Sequence, residues 1–310
     1  MSELRIAIAG FGKIARTRHV PAISAVPGAE LVAIADPVPA AADVPQFPSL
    51  ETLLREGPEI DAVALCTPPQ ARSAQAKIAL DAGKHVLLEK PPGATASEIA
   101  PLLAAAREKG RTLFATWHSR FAPAVEPMRR LLAERRIEAV TITWKEDVRV
   151  WHPGQAWIFE AGGFGVYDPG INALSILTRI LPQPLFVTRA EHDVPGNREA
   201  PIAAELWLAD AARLPIRASF DFRQTGPQTW DIRVDTDRGA VLLSSGGARL
   251  IDGDRMLIDS EKQEYPQLYR RFIELAAQNA CDVDLAPLQL VADAFLLSRR
   301  RSVEAFEDHS

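Results

Sequence analysis

Apolar runs alternate with amphipathic stretches through the N-terminal part of the chain. The runs are Ile6–Ala9, Leu31–Ala35, Asp61–Cys66, His85–Leu88 and Leu113–Thr116. Continuously apolar strands that alternate with helices form parallel sheets covered on both faces. Ligands of such sheets lie at the carboxyl ends of the strands. The pattern therefore predicts a doubly wound α/β domain over residues 1–122.

Helix signals fall between these runs. Ser49 stands in an N-cap position before a short helix. Thr95, followed three residues later by Glu98, has the spacing of a capping box. We therefore predict one helix from Thr95 to Lys109 and another that ends at Ala82.

The pattern changes near residue 123. Val140, Ile142 and Trp144 alternate with polar residues, as in a strand with one buried face. Further strand-like runs occupy 185–191, 202–208, 216–222, 229–234, 240–243 and 249–251. They predict an α+β domain over residues 123–310, built on a large and mainly antiparallel sheet.

Besides the helical pattern Ala124–Arg135 that begins it, three helical patterns belong to this second part. The first, Pro169–Ile180, interrupts the strands, and the others lie near 266–278 and 287–300. The last helix has the length to pack back on the N-terminal domain. We expect the segment after Ser302 to be frayed.

Composition narrows the class of protein. The chain has 310 residues, 47% hydrophobic and 24% charged, which suits one large or two medium folded domains. Its net charge of −5 comes without a basic block, so we expect neither nucleic acid nor an acidic membrane as a partner. No run approaches the roughly 18 apolar residues that span a bilayer, and no secretory signal pattern is present, so we expect a cytoplasmic protein. The two cysteines, Cys66 and Cys281, are too few for a disulfide framework.

The first apolar run breaks into the glycine turn Gly10-Phe11-Gly12-Lys13-Ile14-Ala15. Gly10 permits a sharp turn, Gly12 lets the backbone approach a pyrophosphate, and the following helix directs free N–H groups at the anion. Asp36 ends the second run and can accept hydrogen bonds from an adenosine ribose. These features predict a dinucleotide site, with Thr67-Pro68 near the nicotinamide half. The alternative is a glycine turn in some other parallel sheet.

Charge favours NAD over NADP. The Asp36 carboxylate would repel a 2′-phosphate, and Pro37-Val38-Pro39 offers no compensating cation. Arg16 or Arg18 can reach that phosphate, so NADP stays possible.

Glu89-Lys90-Pro91-Pro92 follows the fourth run. A residue before proline is pushed towards extended backbone, so Lys90 is held at the mouth of the sheet. Beside a cationic nicotinamide and partly desolvated, its ammonium would lose protons more readily than that of a surface lysine. Glu89 and Lys90 are therefore also assigned to the cofactor site. The alternative is a surface lysine paired with Glu89.

The glycine turn, Glu89-Lys90-Pro91 and Gly162-Gly163-Phe164-Gly165-Val166-Tyr167-Asp168-Pro169-Gly170-Ile171-Asn172 together resemble the glucose–fructose oxidoreductase/inositol dehydrogenase (Gfo/Idh/MocA) superfamily of nicotinamide oxidoreductases. Trp144-Lys145-Glu146-Asp147 and Trp151-His152-Pro153-Gly154-Gln155 are similar to the bacterial L-arabinose/D-galactose 1-dehydrogenases. That resemblance implies oxidation of an aldopyranose at C1 to the aldonolactone, with Lys90 and Asp168 as the catalytic pair.

The chain departs from the superfamily at Asn172, where many members have histidine. An amide cannot accept a proton at neutral pH, but it can orient a sugar hydroxyl. The base is then Asp168 or Lys90. If the helix begins at Pro169, Asp168 is its N-cap and Asn172 lies one turn on. Asp168 as a cap alone is the alternative.

A sugar site needs polar groups for hydroxyls and an apolar platform for C–H faces. Trp230 is a candidate for stacking, although an indole in a strand is more often part of the core. No metal is expected, since His118 and His152 lack ligand spacing. The other candidates, which the resemblance supports, are His118, Glu146, Trp151, His152, Asp168 and Asn172.

Two alternative functions use the same fold. One is an NAD(P)H-dependent reductase of another carbonyl or imine, and the other is a non-catalytic dinucleotide-sensing protein. The open face of the second sheet can bury itself against another copy, so a homodimer is plausible. Among arabinose, galactose and fucose the sequence does not choose, because the sugars differ mainly at C5, where discrimination is worth only about 1–3 kcal/mol.

Overall fold

Short, wholly apolar strands form the first sheet. The computed structural model describes residues 3–261 and 263–307. The six strands are all parallel and stand in the order β3-β2-β1-β4-β5-β6. This is the predicted doubly wound arrangement, with a change of direction between β1 and β4 where ligands bind. Their bounds are β1 Leu4–Ala9, β2 Ala29–Ala35, β3 Gln46–Phe47, β4 Ala62–Leu65, β5 His85–Leu88 and β6 Leu113–Ala115.

Amphipathic helices cover both sheets of the chain. Ser49 caps its helix, as predicted, by accepting the N–H of Thr52 at 3.2 Å. None of the helices in the described residues has the length and hydropathy to span a bilayer. Their bounds are α1 Val20–Ala25, α2 Leu50–Glu56, α3 Pro69–Asp81, α4 Ile99–Glu108, α5 Val125–Leu132, α6 Val148–Trp151, α7 Tyr167–Ile180, α8 Glu264–Gln278 and α9 Ala286–Leu297.

A π-helical turn, Ala15–His19, precedes α1. Pro21 lies at the start of α1 and has no N–H to continue the ordinary i→i−4 ladder. The wider turn buries Ala15 and His19 on the side that Ala22 and Ile23 of α1 also bury.

The helix predicted from Thr95 begins only at Ile99. The Glu98 carboxylate does accept the N–H of Thr95 at 2.8 Å, but the Thr95 hydroxyl lies 3.3 Å from that of Ser97 instead of capping the helix. Only half of the capping box forms, so residues 95–98 stay in turns.

The chain divides into two compact units. The first unit contains the residues up to His118 and the returning segment Tyr265–Asp284, and the second unit contains Ser119–Glu264 and the residues from Leu285. The predicted division at 122/123 therefore left out the return of 265–284. In this segment Asp282 continues the first sheet, because its N–H donates to Leu113 and its carbonyl accepts from Ala115.

The second unit is built on a nine-stranded mixed sheet. Two neighbouring pairs, β7/β10 and β8/β15, are parallel and the others antiparallel, which confirms the mainly antiparallel prediction. The order is β14-β13-β12-β11-β7-β10-β9-β8-β15. The strands are β7 Ile137–Lys145, β8 Phe186–Pro195, β9 Ala203–Ala209, β10 Ile216–Asp221, β11 Thr229–Thr236, β12 Gly239–Ser244, β13 Arg249–Asp252, β14 Arg255–Asp259 and β15 Ser298–Val303.

The C-terminal prediction was wrong in two respects. The last helix ends at Leu297, and the chain then forms edge strand β15 beside β8. The segment beyond Ser302 is tied down rather than frayed, since the Phe306 N–H donates to Asn197 and the Phe306 carbonyl accepts from Arg198. Strand β14 was also not predicted, because its residues in the sheet-edge hairpin are mostly exposed and lack a clear apolar alternation.

Candidate active site

The glycine turn lies where the first sheet changes direction. Gly10 has φ +87°, and a Cβ there would stand 2.6 Å from the Thr67 nitrogen, so only glycine suits this crossing. A Cβ on Gly12 would meet nothing within 4 Å. The open space over Gly12 suits the close backbone approach that a pyrophosphate needs, and the turn therefore fits a bound dinucleotide.

Asp36 follows β2 and faces this turn. One carboxylate oxygen accepts the Phe11 N–H at 2.6 Å, and the other accepts the Val38 N–H at 2.8 Å. The carboxylate is thus fixed beside the glycine turn, where a ribose hydroxyl would be recognised. Lys13 and Ile14, also predicted to contact the cofactor, are both exposed.

Thr67 and Pro68 follow the carboxyl end of β4, and Thr67 packs against Gly10. The Thr67 hydroxyl donates to Gln75 at 2.6 Å, and Pro68 is the residue before α3. Both predicted residues therefore lie at the same sheet edge as the glycine turn.

Glu89 is buried, with 2% of its surface exposed, although it carries a carboxylate. The Tyr265 hydroxyl donates to Oε1 at 2.5 Å, and Nε2 of His19 lies 3.3 Å from the same oxygen. Oε2 accepts the backbone N–H of Lys90. Lys90 itself is half-buried, so Glu89 is part of a buried network rather than the partner of a surface lysine.

Electrostatics favour a charged pair in this network. Burial alone would raise the pKa of Glu89, but the hydrogen bond with His19 and the positive charges of His19, His118 and Lys90 hold it well below its usual range. Burial likewise opposes the charged form of His19. The pKa of His19 is nevertheless raised well above its usual range, because electrostatic attraction and hydrogen bonds from Cys66, Tyr269 and Glu89 favour its charged form.

His118 lies in the first unit, apart in the chain from the other predicted sugar contacts. Its ring stacks on Tyr265, with centroids 5.2 Å apart. It begins the 3₁₀ turn His118–Phe121 just beyond β6.

In the second unit, Glu146, His152 and Asp168 come together. Glu146 follows β7, and Asp168 belongs to the first turn of α7; both are buried, at 3% exposure each. Nε2 of His152 lies 3.5 Å from the Glu146 carboxylate and 3.6 Å from that of Asp168. One imidazole therefore stands between two carboxylates, an arrangement able to hold or pass a proton. The described residues contain no group of three or more side chains able to hold a metal ion.

Indoles border this cluster. Trp230 lies opposite Trp144 in the β7/β11 pairing and donates its N–H to Glu146 at 2.8 Å. Trp151 packs on Trp230 with ring centroids 5.0 Å apart. Trp151 ends the one-turn helix α6, and His152 is its C-cap. Trp230 is half-buried and its indole N–H is hydrogen-bonded to a carboxylate, so it differs from an indole in an apolar core.

Helix α7 begins at Tyr167 and not at Pro169. Asp168 is therefore inside the first turn and is not the N-cap, a position that Val166 occupies. Pro169 still lies in the first turn, where its missing N–H has no intrahelical partner to lose. Asn172 is half-buried one turn further on, and its backbone carbonyl accepts the Ser175 hydroxyl at 2.7 Å.

Sequence reasoning missed four residues that touch the Glu89–Lys90 segment or its network: His19, Arg72, Tyr265 and Tyr269. A signal existed for two of them. Arg72 shares the buried stripe of α3 with Ala76 and Ala79, and His19 continues the buried side of its helix. A charged or polar residue on such a stripe indicates a buried partner.

Comparisons with known proteins agree with this architecture. Residues 4–117 match Gfo/Idh/MocA, described as an oxidoreductase family with an NAD-binding Rossmann fold. A galactose 1-dehydrogenase of Pseudomonas fluorescens is 48% identical over 309 residues, which cover 99% of this chain and 100% of the relative. This chain belongs to the Gfo/Idh/MocA oxidoreductase family. Its first domain is thus an NAD-binding Rossmann domain, as predicted.

Solved structures extend the likeness. The crystal structure of a D-galactose-1-dehydrogenase protein from Rhizobium etli superposes with a TM-score of 0.93 at 53% identity, and 99% of each chain is covered. A 3-ketoreductase from Actinomadura kijaniata, solved with NADP and TDP-benzene, has a TM-score of 0.84. Its identity is 19%, with 99% of this chain and 100% of that chain covered, and it shows the shared fold alone.

Proposed function

We propose that this member of the family oxidises an aldopyranose of the L-arabinose, D-galactose or D-fucose type at C1 and releases the aldonolactone. The observation that carries the proposal is the 48% identity over its full length with a protein named galactose 1-dehydrogenase. The buried carboxylate–imidazole–indole cluster of the second unit supports it, because such a set offers hydroxyl partners and an apolar platform.

In this proposal Lys90 and Asp168 handle the C1 hydroxyl proton. The bound nicotinamide supplies the hydride acceptor. Asp168 is buried and lies 3.6 Å from His152, so a proton that it accepts has an imidazole beside it. Lys90 follows a buried carboxylate, which favours a nearby cation. Asn172 orients a hydroxyl, and water can open the released lactone without further help.

Sugar recognition is assigned to Glu146, His152, Trp151, Trp230 and His118. Oε2 of Glu146 accepts the Trp230 N–H, and Oε1, which lies 3.5 Å from Nε2 of His152, has a second lone pair that can accept a sugar hydroxyl. The neighbouring rings of Trp151 and Trp230 offer the platform for C–H groups.

NAD is the proposed cofactor, with NADP as the second choice. The carboxylate of Asp36 is held at the glycine turn by the Phe11 N–H, and there it would meet a 2′-phosphate. Ribose hydroxyls can replace that N–H as hydrogen-bond donors, whereas a phosphate cannot.

The test is absorbance at the reduced-nicotinamide band with a panel of free aldoses, each with NAD and with NADP. We expect reduction with arabinose, galactose or fucose, and a higher kcat/KM with NAD. Oxidation of reduced cofactor by a carbonyl or imine, with no reaction of any free sugar, would instead favour the reductase. Tight cofactor binding without turnover in either direction would favour a dinucleotide sensor.

Two substitutions test the assigned roles. Lys90→Met and Asp168→Asn should each lower kcat about 10²–10⁴-fold, the range that positioned acid–base groups supply, while NADH still binds. Lys77→Met and Asp235→Asn, which remove exposed ion-pair partners of Asp81 and Arg233, are the matched controls and should leave kcat unchanged.

We also propose a homodimer through the second sheet. Thr141, Thr143 and Trp207 point away from the buried positions of their strands, and Arg189 and Arg217 lie over the Trp207 ring. Light scattering with size exclusion tests this, since a monomer mass at micromolar concentration would contradict it.

A further inference from the structure

Arg72 is a buried arginine without a role in the proposed reaction. It lies on α3 with 4% of its surface exposed. Its Nη1 donates to the carbonyl oxygen of Glu89 at 2.5 Å and also to that of Pro91. One guanidinium nitrogen therefore bonds the backbone on both sides of Lys90.

The backbone N–H of Lys90, which lies between these two carbonyls, is also hydrogen-bonded. The Glu89 carboxylate accepts the N–H of Lys90, and it is itself fixed by the Tyr265 hydroxyl and His19. Three polar backbone groups around Lys90, the Glu89 carbonyl, the Lys90 N–H and the Pro91 carbonyl, thus bond to buried charged side chains. Hydrogen bonds to ionised groups are shorter and roughly twice as strong as neutral ones.

Burying these charges is costly. An arginine and a glutamate that only filled space would serve stability no better than apolar residues of similar volume. A lysine side chain has four flexible methylenes, so its ammonium is placed only as accurately as the backbone from which it extends. Misplacing a catalytic group by 1 Å can cost about 10²-fold in rate.

We propose that Arg72 and Glu89 are positioning residues that fix the backbone of Lys90, with Tyr265 and His19 holding Glu89 in place. The proposal rests on the proposed function, in which Lys90 handles the proton. Neither Arg72 nor Glu89 needs to touch the substrate.

The experiment compares Arg72→Met, Arg72→Lys and Tyr265→Phe with the parent protein. Its main measurement is the labelling rate of Lys90 by an amine-reactive reagent, read by peptide mass spectrometry against the exposed Lys77, without sugar or cofactor. The matched control is Arg111→Met, because Arg111 also donates from a guanidinium to a backbone carbonyl, that of Gly83 at 2.5 Å. The second measurement separates kcat from KM, alongside NADH affinity and thermal midpoint.

Arg72→Met should raise the Lys90/Lys77 labelling ratio several-fold and lower kcat about 10²-fold, with sugar KM and NADH affinity nearly unchanged. Arg72→Lys keeps the charge but reaches fewer carbonyls, so its effects should be intermediate. Tyr265→Phe removes one hydrogen bond to Glu89 and should lower kcat about tenfold. Arg111→Met should leave the ratio and kcat unchanged.

A parent-like labelling ratio in all three variants overturns the proposal. So does a ratio that rises equally in Arg111→Met, because the change would then report general loosening. If Arg72→Met fails to fold, the labelling ratios of Arg72→Lys and Tyr265→Phe test the proposal instead. The labelling measurement does not depend on sugar chemistry. A changed Lys90/Lys77 labelling ratio in a protein that oxidises no sugar would support the positioning role of Arg72 and Glu89 and would refute the proposed function.

Discussion

Each unit of the molecule buries one histidine against one tyrosine hydroxyl. In the first unit His19 lies 2.7 Å from the Tyr269 oxygen, and in the second His192 lies 2.7 Å from that of Tyr167. Both imidazoles have 0% of their surface exposed. The two pairs nevertheless have opposite charge preferences.

The two rings differ in the polar groups around them. Interactions with Cys66, Tyr269 and Glu89 raise the pKa of His19 despite burial, and the buried carboxylate of Glu89 lies at its second nitrogen. The ring of His192 has the edge of Phe295 at a centroid distance of 5.2 Å, and its Nδ1 has no hydrogen-bond partner within residues 3–261 and 263–307. Burial, helped by the charge of Arg300, lowers the pKa of His192 to about 4.

The comparison separates a charged polar cluster from a neutral pair. Glu89 of the charged cluster accepts the backbone N–H of Lys90, whereas the neutral pair lies among aromatic rings. Tyr167 contacts Phe220 and Phe295, and Asp168 is its neighbour in α7. A buried histidine is therefore charged or neutral according to the polar side chains packed around it.

The largest expected effect comes from removing the buried acid beside His19. Glu89→Gln keeps an oxygen for the Lys90 N–H but leaves His19 without its counter-charge. Removing one partner of a buried ion pair costs about 3–5 kcal/mol, so the free energy of unfolding at pH 7 should fall by that amount. Urea unfolding followed by circular dichroism measures it.

Asp231→Asn is the matched control. The Asp231 carboxyl is half-buried, and burial raises its pKa, so the charge is not stabilised by folding. Its replacement by a neutral amide should change stability little. A loss below 1 kcal/mol in Glu89→Gln would mean that His19 is neutral and that the two histidines do not differ.

The second expected effect is a pH dependence carried by His192. Its folded pKa of about 4 lies below the unfolded value of 6.5, so the unfolded state binds more protons between these limits. Stability therefore falls as pH drops from 6.5 to 4, by about 2–3 kcal/mol from this group. Subtracting the curve of His192→Gln, which does not titrate, isolates the contribution. Parallel curves for the two proteins would contradict the assignment.

His19 gives the opposite sign. Because its folded pKa is raised, its contribution is fully present below pH 6.5 and is lost as pH rises through the folded pKa. The decline should therefore lie on the alkaline side and be absent from His19→Gln.

Local pattern predicts the elements of both units but not their long-range partners. The parallel strands, the glycine turn and Asp36 follow from apolar runs and turn chemistry. Burial of Arg72 and His19 is also encoded, by their place on helix stripes. The contact between Glu89 and Tyr265 joins residues 176 positions apart and depends on the return of α8 to the first unit. No local signal specifies that return.

The second cluster shows the same limit. Glu146 and Trp230 were both predicted as candidate sugar contacts, but the sequence left Trp230 open between stacking on the substrate and a place in the core. Strand β11 pairs with β7 in a register that sets Trp230 opposite Trp144, and Glu146 follows two residues later. The indole therefore meets a carboxylate only because of sheet register, which hydrophobic alternation leaves open.

The smallest expected effect compares the two tyrosine hydroxyls. Tyr167→Phe removes a hydrogen bond to a neutral imidazole and should cost about 1 kcal/mol of stability, whereas Tyr269→Phe removes one to a charged imidazole and should cost about 2 kcal/mol. Burial, with the charges of Cys66 and Glu89 adding to it and His19 opposing it, raises the pKa of Tyr269 to about 12, so the hydroxyl stays protonated at the pH of the measurement. Urea midpoints at pH 7 give both values. Equal stability costs would indicate that the two imidazoles carry the same charge. The Glu89→Gln protein supplies a check, because in it the stability cost of Tyr269→Phe should fall to that of Tyr167→Phe.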